Sequence, residues 1–227
     1  LDIVTSANIA CGMHAGDPEV MAATFGKARE KGVAVGAHPG YPDLYGFGRR
    51  NMPYTMGETE RLIAYQIGAL QALAQVAGAT VSYVKPHGAL YNTIVTDHGQ
   101  ARAVATAVHA VDPALPVLGL AGSAFFAAAD ELGLRTVPEA FADRSYRPDG
   151  QLVPRTQRNA VLHNVSAIAD RVASMVTAGR VGAVDGSTIK ITVSSICVHG
   201  DSPGAVDIAR AVRDRLTTEK VQIEAFC

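Results

Sequence analysis

At 227 residues, 48% of them hydrophobic, the chain can bury about 70–75% of its unfolded surface around one core. A formal net charge of -1, with lysines and arginines scattered, argues against nucleic acid or an anionic membrane as the main partner. No apolar run reaches the roughly 18–20 residues that span a bilayer, and three widely spaced cysteines without a CxxC pair fit a reducing, cytoplasmic setting.

Apolar, β-branched runs alternate with helical patterns along the chain. Residues 3–10 read as a strand, and Asp17 before Pro18 reads as the cap of a helix that Gly32 stops. A second strand runs over 33–38. Residues 40–56 form a long loop rich in glycine and aromatics, of the kind that makes lids and binding loops. Ile63, Ile67, Leu70 and Ala74 mark an amphipathic helix ended by Gly78, before a strand over 81–85. Val104, Val108 and Val111 give the next helix, 116–122 a buried strand, 123–132 a helix, and 134–141 a strand that reaches Glu139 near its end. After a polar loop over 143–159, Val165, Ile168, Val172 and Met175 place another helix. A strand over 189–198, a helix over 203–216 and a terminal strand over 221–226 complete the reading. This rhythm indicates right-handed βαβ units and a mainly parallel α/β sheet in one domain.

Four histidines share one local grammar at the ends of such strands. His14 stands in Gly12-Met13-His14-Ala15-Gly16-Asp17, His38 in Ala37-His38-Pro39-Gly40, His87 in Lys85-Pro86-His87-Gly88, and His199 in Val198-His199-Gly200-Asp201. In α/β proteins strand ends on one side of the sheet gather into one site, so the four imidazoles are expected to converge. They could ligate a divalent metal or act as general acid and base near pH 7. Asp17, Asp43, Asp143 and Asp201 could be further ligands or could orient the rings, although Asp17 also has the position of a helix cap. Lys85 either points its ammonium into the site or snorkels at its rim. Arg49, Arg50 and Arg144 could hold a carboxylate, and Glu139 is an acid or base if its strand turns it inward. Cys11 and Cys197 read as small buried residues, and His98, His109 and His163 as surface residues. No phosphate loop, GxSxG elbow, GxGxxG turn or HExxH is present.

Several of these segments, in order, resemble the LamB/YcsF family. They are the run from Thr5 to Asp17, the Gly36 to Asp43 segment, Gly46-Phe47-Gly48-Arg49-Arg50, Val84 to Tyr91, Glu139-Ala140-Phe141-Ala142-Asp143-Arg144, Leu152 to Arg155, and Cys197 to Asp201. The resemblance runs over essentially the whole chain. It implies an irregular (β/α) barrel of about seven parallel strands, similar to glycoside hydrolase/deacetylase barrels, as a single domain over 1–227. Measured against the family pattern, the chain starts after an expected opening strand. Thr156 stands before Gln157 where the pattern has serine. The activity implied is that of a bacterial 5-oxoprolinase, which opens the lactam of 5-oxo-L-proline to L-glutamate with hydrolysis of ATP and needs partner subunits B and C. The matched motifs imply His14, His38, His87, Lys85, His199 and Asp17 as catalytic residues. Asn8, Asp43, Arg49, Tyr91, Glu139, Asp143, Arg144 and Asp201 are implied to bind substrate. A divalent metal stays open. The rival readings are a metal-dependent amide hydrolase or deacetylase acting alone, and a non-catalytic substrate-binding subunit.

Overall fold

The computed structural model describes residues 1–227 and divides into two compact units, residues 1–137 with Cys227, and residues 138–226. The first holds β1 (Ser6–Ala10), α1 (Pro18–Lys31), β2 (Ala34–His38), α2 (Met56–Val76), β3 (Tyr83–Val84), α3 (Gly88–Thr93), α4 (His98–Val111), β4 (Val117–Gly119) and α5 (Ala124–Glu131). Its four strands pair in chain order and all in parallel. The register sets Ala10 beside His38, Ala37 beside Val84, and Val84 beside Val117. The carboxyl ends of β1, β2 and β3 therefore finish level with one another, which is what brings their following turns together.

Local chemistry fixes the helix ends. The Asp17 carboxylate accepts the Val20 N–H at 2.9 Å, and Gly32 closes α1 with a left-handed φ of 63°. Thr55 and Glu58 form a reciprocal capping box at the start of α2. Phe25, Ile63, Ile67, Leu70, Val104, Val108 and Phe125 fill the core. Gly36 in β2 is required by packing, because a Cβ there would stand 2.0 Å from the Tyr83 ring. That ring crosses β2 and donates its hydroxyl to Asn8 Oδ1 of β1 at 2.9 Å.

The second unit holds β5 (Thr136–Phe141) from Pro138 onward, α6 (Val165–Ala178), β6 (Arg180–Gly182), β7 (Thr188–Lys190), β8 (Ser195–Cys197) and α7 (Ala205–Thr218). β5 and β8 are parallel, with Glu139 beside Ser195 and Phe141 beside Cys197. β6 and β7 make an antiparallel hairpin. α6 packs on α7 through Ile168, Val172, Ile208, Val212 and Leu216.

The α/β class, parallel strands and flanking helices expected from the sequence are present. Three element readings are corrected. The strand expected over 189–198 is two pieces, because Thr188–Lys190 belongs to the hairpin and only Ser195–Cys197 joins the parallel pair. Residues 221–226 form no strand, and their Val221 and Ile223 pack on the α6–α7 core instead. The short helix α3 follows His87 directly, where the sequence pattern showed none.

Candidate active site

Because β1, β2 and β3 end in register, the first unit gathers His14, His38 and His87 into one cluster. His14 and His87 stack with ring centroids 3.9 Å apart and planes 3° from parallel. His38 meets both edge-on, at 5.9 Å and 4.7 Å. His38 Nδ1 lies 2.6 Å from the Lys85 carbonyl, and His38 Nε2 lies 2.9 Å from His87 Nδ1. His87 Nε2 lies 2.7 Å from the Phe47 carbonyl. His14 Nδ1 is buried without a partner. Burial, with His87 and Arg49 nearby, pushes His14 down to about 3, so its ring is neutral.

The long loop builds one wall of the cluster. Phe47 and Gly48 both take left-handed backbone conformations, with φ of 53° and 66°. For phenylalanine this costs on the order of 1 kcal/mol, and here it turns the Phe47 carbonyl onto His87. A Cβ on Gly48 would stand 2.7 Å from His87 Cδ2 and 2.9 Å from His14 Cβ, so only glycine lets the loop lie against both rings. Asp43 organises this turn: its carboxylate accepts the Gly46 N–H and the Arg50 guanidinium. That bond to Arg50 holds its carboxyl down to about 2.

Lys85 continues β3 and is buried at 4% exposure, with its ammonium 5.9 Å from the Tyr91 ring centroid. It is not a rim lysine. Tyr91 is buried on α3, and the Arg49 guanidinium lies 5.0 Å over the Phe47 ring. Asn8 is exposed and accepts from Tyr83, while Asp17 is exposed and occupied as the α1 cap. Cys11 is buried, with its thiol pushed up to about 12, so it is no nucleophile.

His199 stands in the second unit. Its Nδ1 lies 2.8 Å from Asp143 Oδ1, and the Ser202 hydroxyl donates to Asp143 Oδ2 at 3.3 Å. A carboxylate on Nδ1 fixes the hydrogen there and leaves Nε2 as the basic nitrogen. Burial raises the Asp143 carboxyl, but the His199 bond and charge outweigh it and hold it below the usual range. Phe141 stacks on His199 at 5.6 Å. Glu139 is buried at 2% exposure in β5, and Asp201 is exposed. Arg144 is buried, donating to the carbonyls of Ala160 and Val153 at 3.1 and 2.5 Å, which ties the polar loop to the strand end.

Sequence reasoning missed Gln66 and Arg171. Gln66, fully buried in α2, accepts the Gly40 N–H at 3.0 Å and donates to the Gly40 carbonyl at 2.9 Å, clamping the turn that follows His38. Its signal was available: a glutamine on the stripe of Ile63, Ile67 and Leu70 is a buried amide that needs partners. Arg171 of α6 donates to the carbonyls of Phe141, Ala142 and Arg144.

As for a metal, the imidazole nitrogens do not converge on a common point. Two face each other and two face carbonyls, and no group of three or more His, Cys, Asp or Glu side chains is arranged to hold an ion. This donor set does not fit a resident metal.

Known proteins share the sequence and the fold of this chain. A protein of Mycolicibacterium gilvum that bears the name of the A subunit of 5-oxoprolinase is 66% identical over 226 residues, covering 100% of this chain and 90% of its own length. One of the same name from Mycobacterium marinum is 61% identical over 227 residues, with the same coverage. The crystal structure of a lactam utilization protein from Thermus thermophilus superposes with a TM-score of 0.93 at 43% identity, covering 99% of this chain and 90% of that one. It establishes the fold as the barrel-type fold of that protein. The family model of LamB/YcsF matches residues 1–227, and the chain belongs to the LamB/YcsF family.

Proposed function

We propose that this chain is the A subunit of an ATP-dependent 5-oxoprolinase, hydrolysing the lactam of 5-oxo-L-proline to L-glutamate together with partner subunits B and C. The observation that carries the reading is 66% identity, over the whole chain, to a protein bearing that subunit's name. The buried histidine cluster supplies chemistry suited to it.

A lactam resists water because amide resonance makes its carbonyl carbon a poor electrophile. Phosphorylation of the carbonyl oxygen by ATP removes that resonance. Water then adds to the ring carbon, the C–N bond breaks with its electron pair going to nitrogen, and the nitrogen takes a proton. A second water hydrolyses the resulting γ-glutamyl phosphate to L-glutamate and phosphate. Lys85 or Arg49 holds the substrate carboxylate, and the histidines move protons. The His199–Asp143 pair, with its Nε2 left basic, is the second unit's own candidate for proton removal. With no phosphate loop in the chain, nucleotide binding falls to a partner or to another surface.

The test is glutamate formation from 5-oxo-L-proline and ATP, with and without subunits B and C. The complete mixture turns over and the isolated chain does not. His87→Ala and His199→Ala are each expected to lower turnover by about 100-fold or more, the usual worth of a positioned acid or base. Unchanged turnover in either variant removes that residue from the mechanism. Unchanged turnover in every histidine variant, with substrate still bound, favours a non-catalytic binding subunit.

A further inference from the structure

The hydrogen bonds of the histidine cluster leave one proton to be accounted for. Carbonyl oxygens only accept. His38 Nδ1, at 2.6 Å from the Lys85 carbonyl, must therefore carry a hydrogen, and so must His87 Nε2, at 2.7 Å from the Phe47 carbonyl. In a neutral imidazole the other nitrogen is then bare. Yet those two remaining nitrogens, His38 Nε2 and His87 Nδ1, face each other at 2.9 Å. Two lone pairs at that separation repel.

Changing a tautomer only moves the conflict. If His38 carried its hydrogen on Nε2, its bare Nδ1 would face the Lys85 carbonyl; if His87 carried its hydrogen on Nδ1, its bare Nε2 would face that of Phe47. Turning a ring over sets carbon against both of its partners. One added proton makes all three contacts hydrogen bonds.

We propose that His38 and His87 hold a single proton between them, making the cluster a buried monocation, and that His14 stacked upon it is a neutral imidazole whose Nε2–H binds an electron-rich oxygen of the substrate. The second half follows from the surroundings of His14. Its Nδ1 is buried with no acceptor and sits 3.0 Å from where a Gly40 Cβ would stand. An N–H shut in there would lose its hydrogen bond, whereas a bare nitrogen loses less, so the hydrogen belongs on Nε2. A cation beneath the ring favours neutrality, in line with the low proton affinity of His14.

Burial, together with His87 and the Lys85 ammonium, draws His38 well below the usual imidazole range, against the bond to the Lys85 carbonyl that raises it. Arg49 and His14 are the other basic groups near the cluster. The shared position offsets these through three simultaneous hydrogen bonds in a place the Gly48 backbone covers. For the oxygen bound by His14, the proposal rests on the lactam reading and names the lactam carbonyl. The shared proton does not depend on that reading.

The experiment is NMR on the full chain carrying nitrogen-15 histidine, at neutral pH, with signals assigned through His14→Gln, His38→Gln and His87→Gln. The expected result is one hydrogen coupled to both His38 Nε2 and His87 Nδ1, protonated His38 Nδ1 and His87 Nε2, and a neutral His14 protonated at Nε2. In His38→Gln the His14 ring is expected to titrate closer to the ordinary histidine range. Bare nitrogens at both facing positions overturn the shared proton. A charged His14, or no shift of its Nε2–H signal on adding 5-oxo-L-proline, overturns the binding role. Failure of glutamate formation alone strikes the lactam reading and leaves the proton pair standing.

Discussion

The Gly40 turn shows how much a single side chain contributes. Gln66 satisfies both backbone groups of Gly40, and Gly40 lies against His14 and His87. Gln66→Leu keeps the volume and leaves a buried N–H and a buried carbonyl unpaired, at about 1–3 kcal/mol each. We expect a clear fall in the urea midpoint, and a larger loss of turnover than of substrate affinity, since the histidine turn is released. Asp43 gives a pH-dependent counterpart. Its carboxyl is held down to about 2 by Arg50, against about 3.9 in an unfolded chain. Its contribution to stability is therefore complete above about pH 4 and disappears as pH falls through about 2. Urea unfolding of wild type and Asp43→Asn should show a stability gap near neutrality that narrows steadily on acidification. At this scale the histidines were legible because each follows an apolar strand and meets glycine. What the sequence concealed was the role of main-chain carbonyls, since nothing in the identity of Phe47 shows that its oxygen receives a hydrogen from His87.

Elements were readable where their signals were long. α1, α2, α4 and α6 carry caps and periodic apolar faces, and their positions follow. The β6–β7 hairpin had a signal that a continuous apolar reading swallowed. Asp185 and Gly186 lie between Val181 and Ile189, and the Asp185 side chain accepts from the Ser187 N–H and hydroxyl. α3, at six residues, is too short for periodicity to register. The element with most to lose is the turn after β5, where the Arg171 guanidinium serves three carbonyls and also lies 5.3 Å from the Tyr146 ring centroid. Arg171→Met removes every one of those donors while keeping much of the stem. A loss of about 2–4 kcal/mol is expected by denaturant unfolding, with hydrogen exchange rising over residues 141–146.

Across the whole chain, the parallel α/β class was legible because strands such as β2 and β4, buried through most of their length, read as apolar runs between helices. The division between units was not. It falls after Val137, inside β5, where no linker composition marks it. His199 shares the sequence grammar of the other three histidines but belongs with Asp143 in the second unit, while His14, His38 and His87 meet in the first because their strands finish in register. No helix is long and apolar enough to cross a membrane.

The strained turn at Phe47 and Gly48 couples two quantities that look unrelated. Lifting that segment withdraws the acceptor of the His87 Nε2 hydrogen and admits solvent to the stacked rings, so its position and the basicity of the imidazoles cannot vary independently. By linkage, a molecule that holds the segment down must change proton uptake in the cluster, and a change in proton occupancy must alter how tightly that molecule is held.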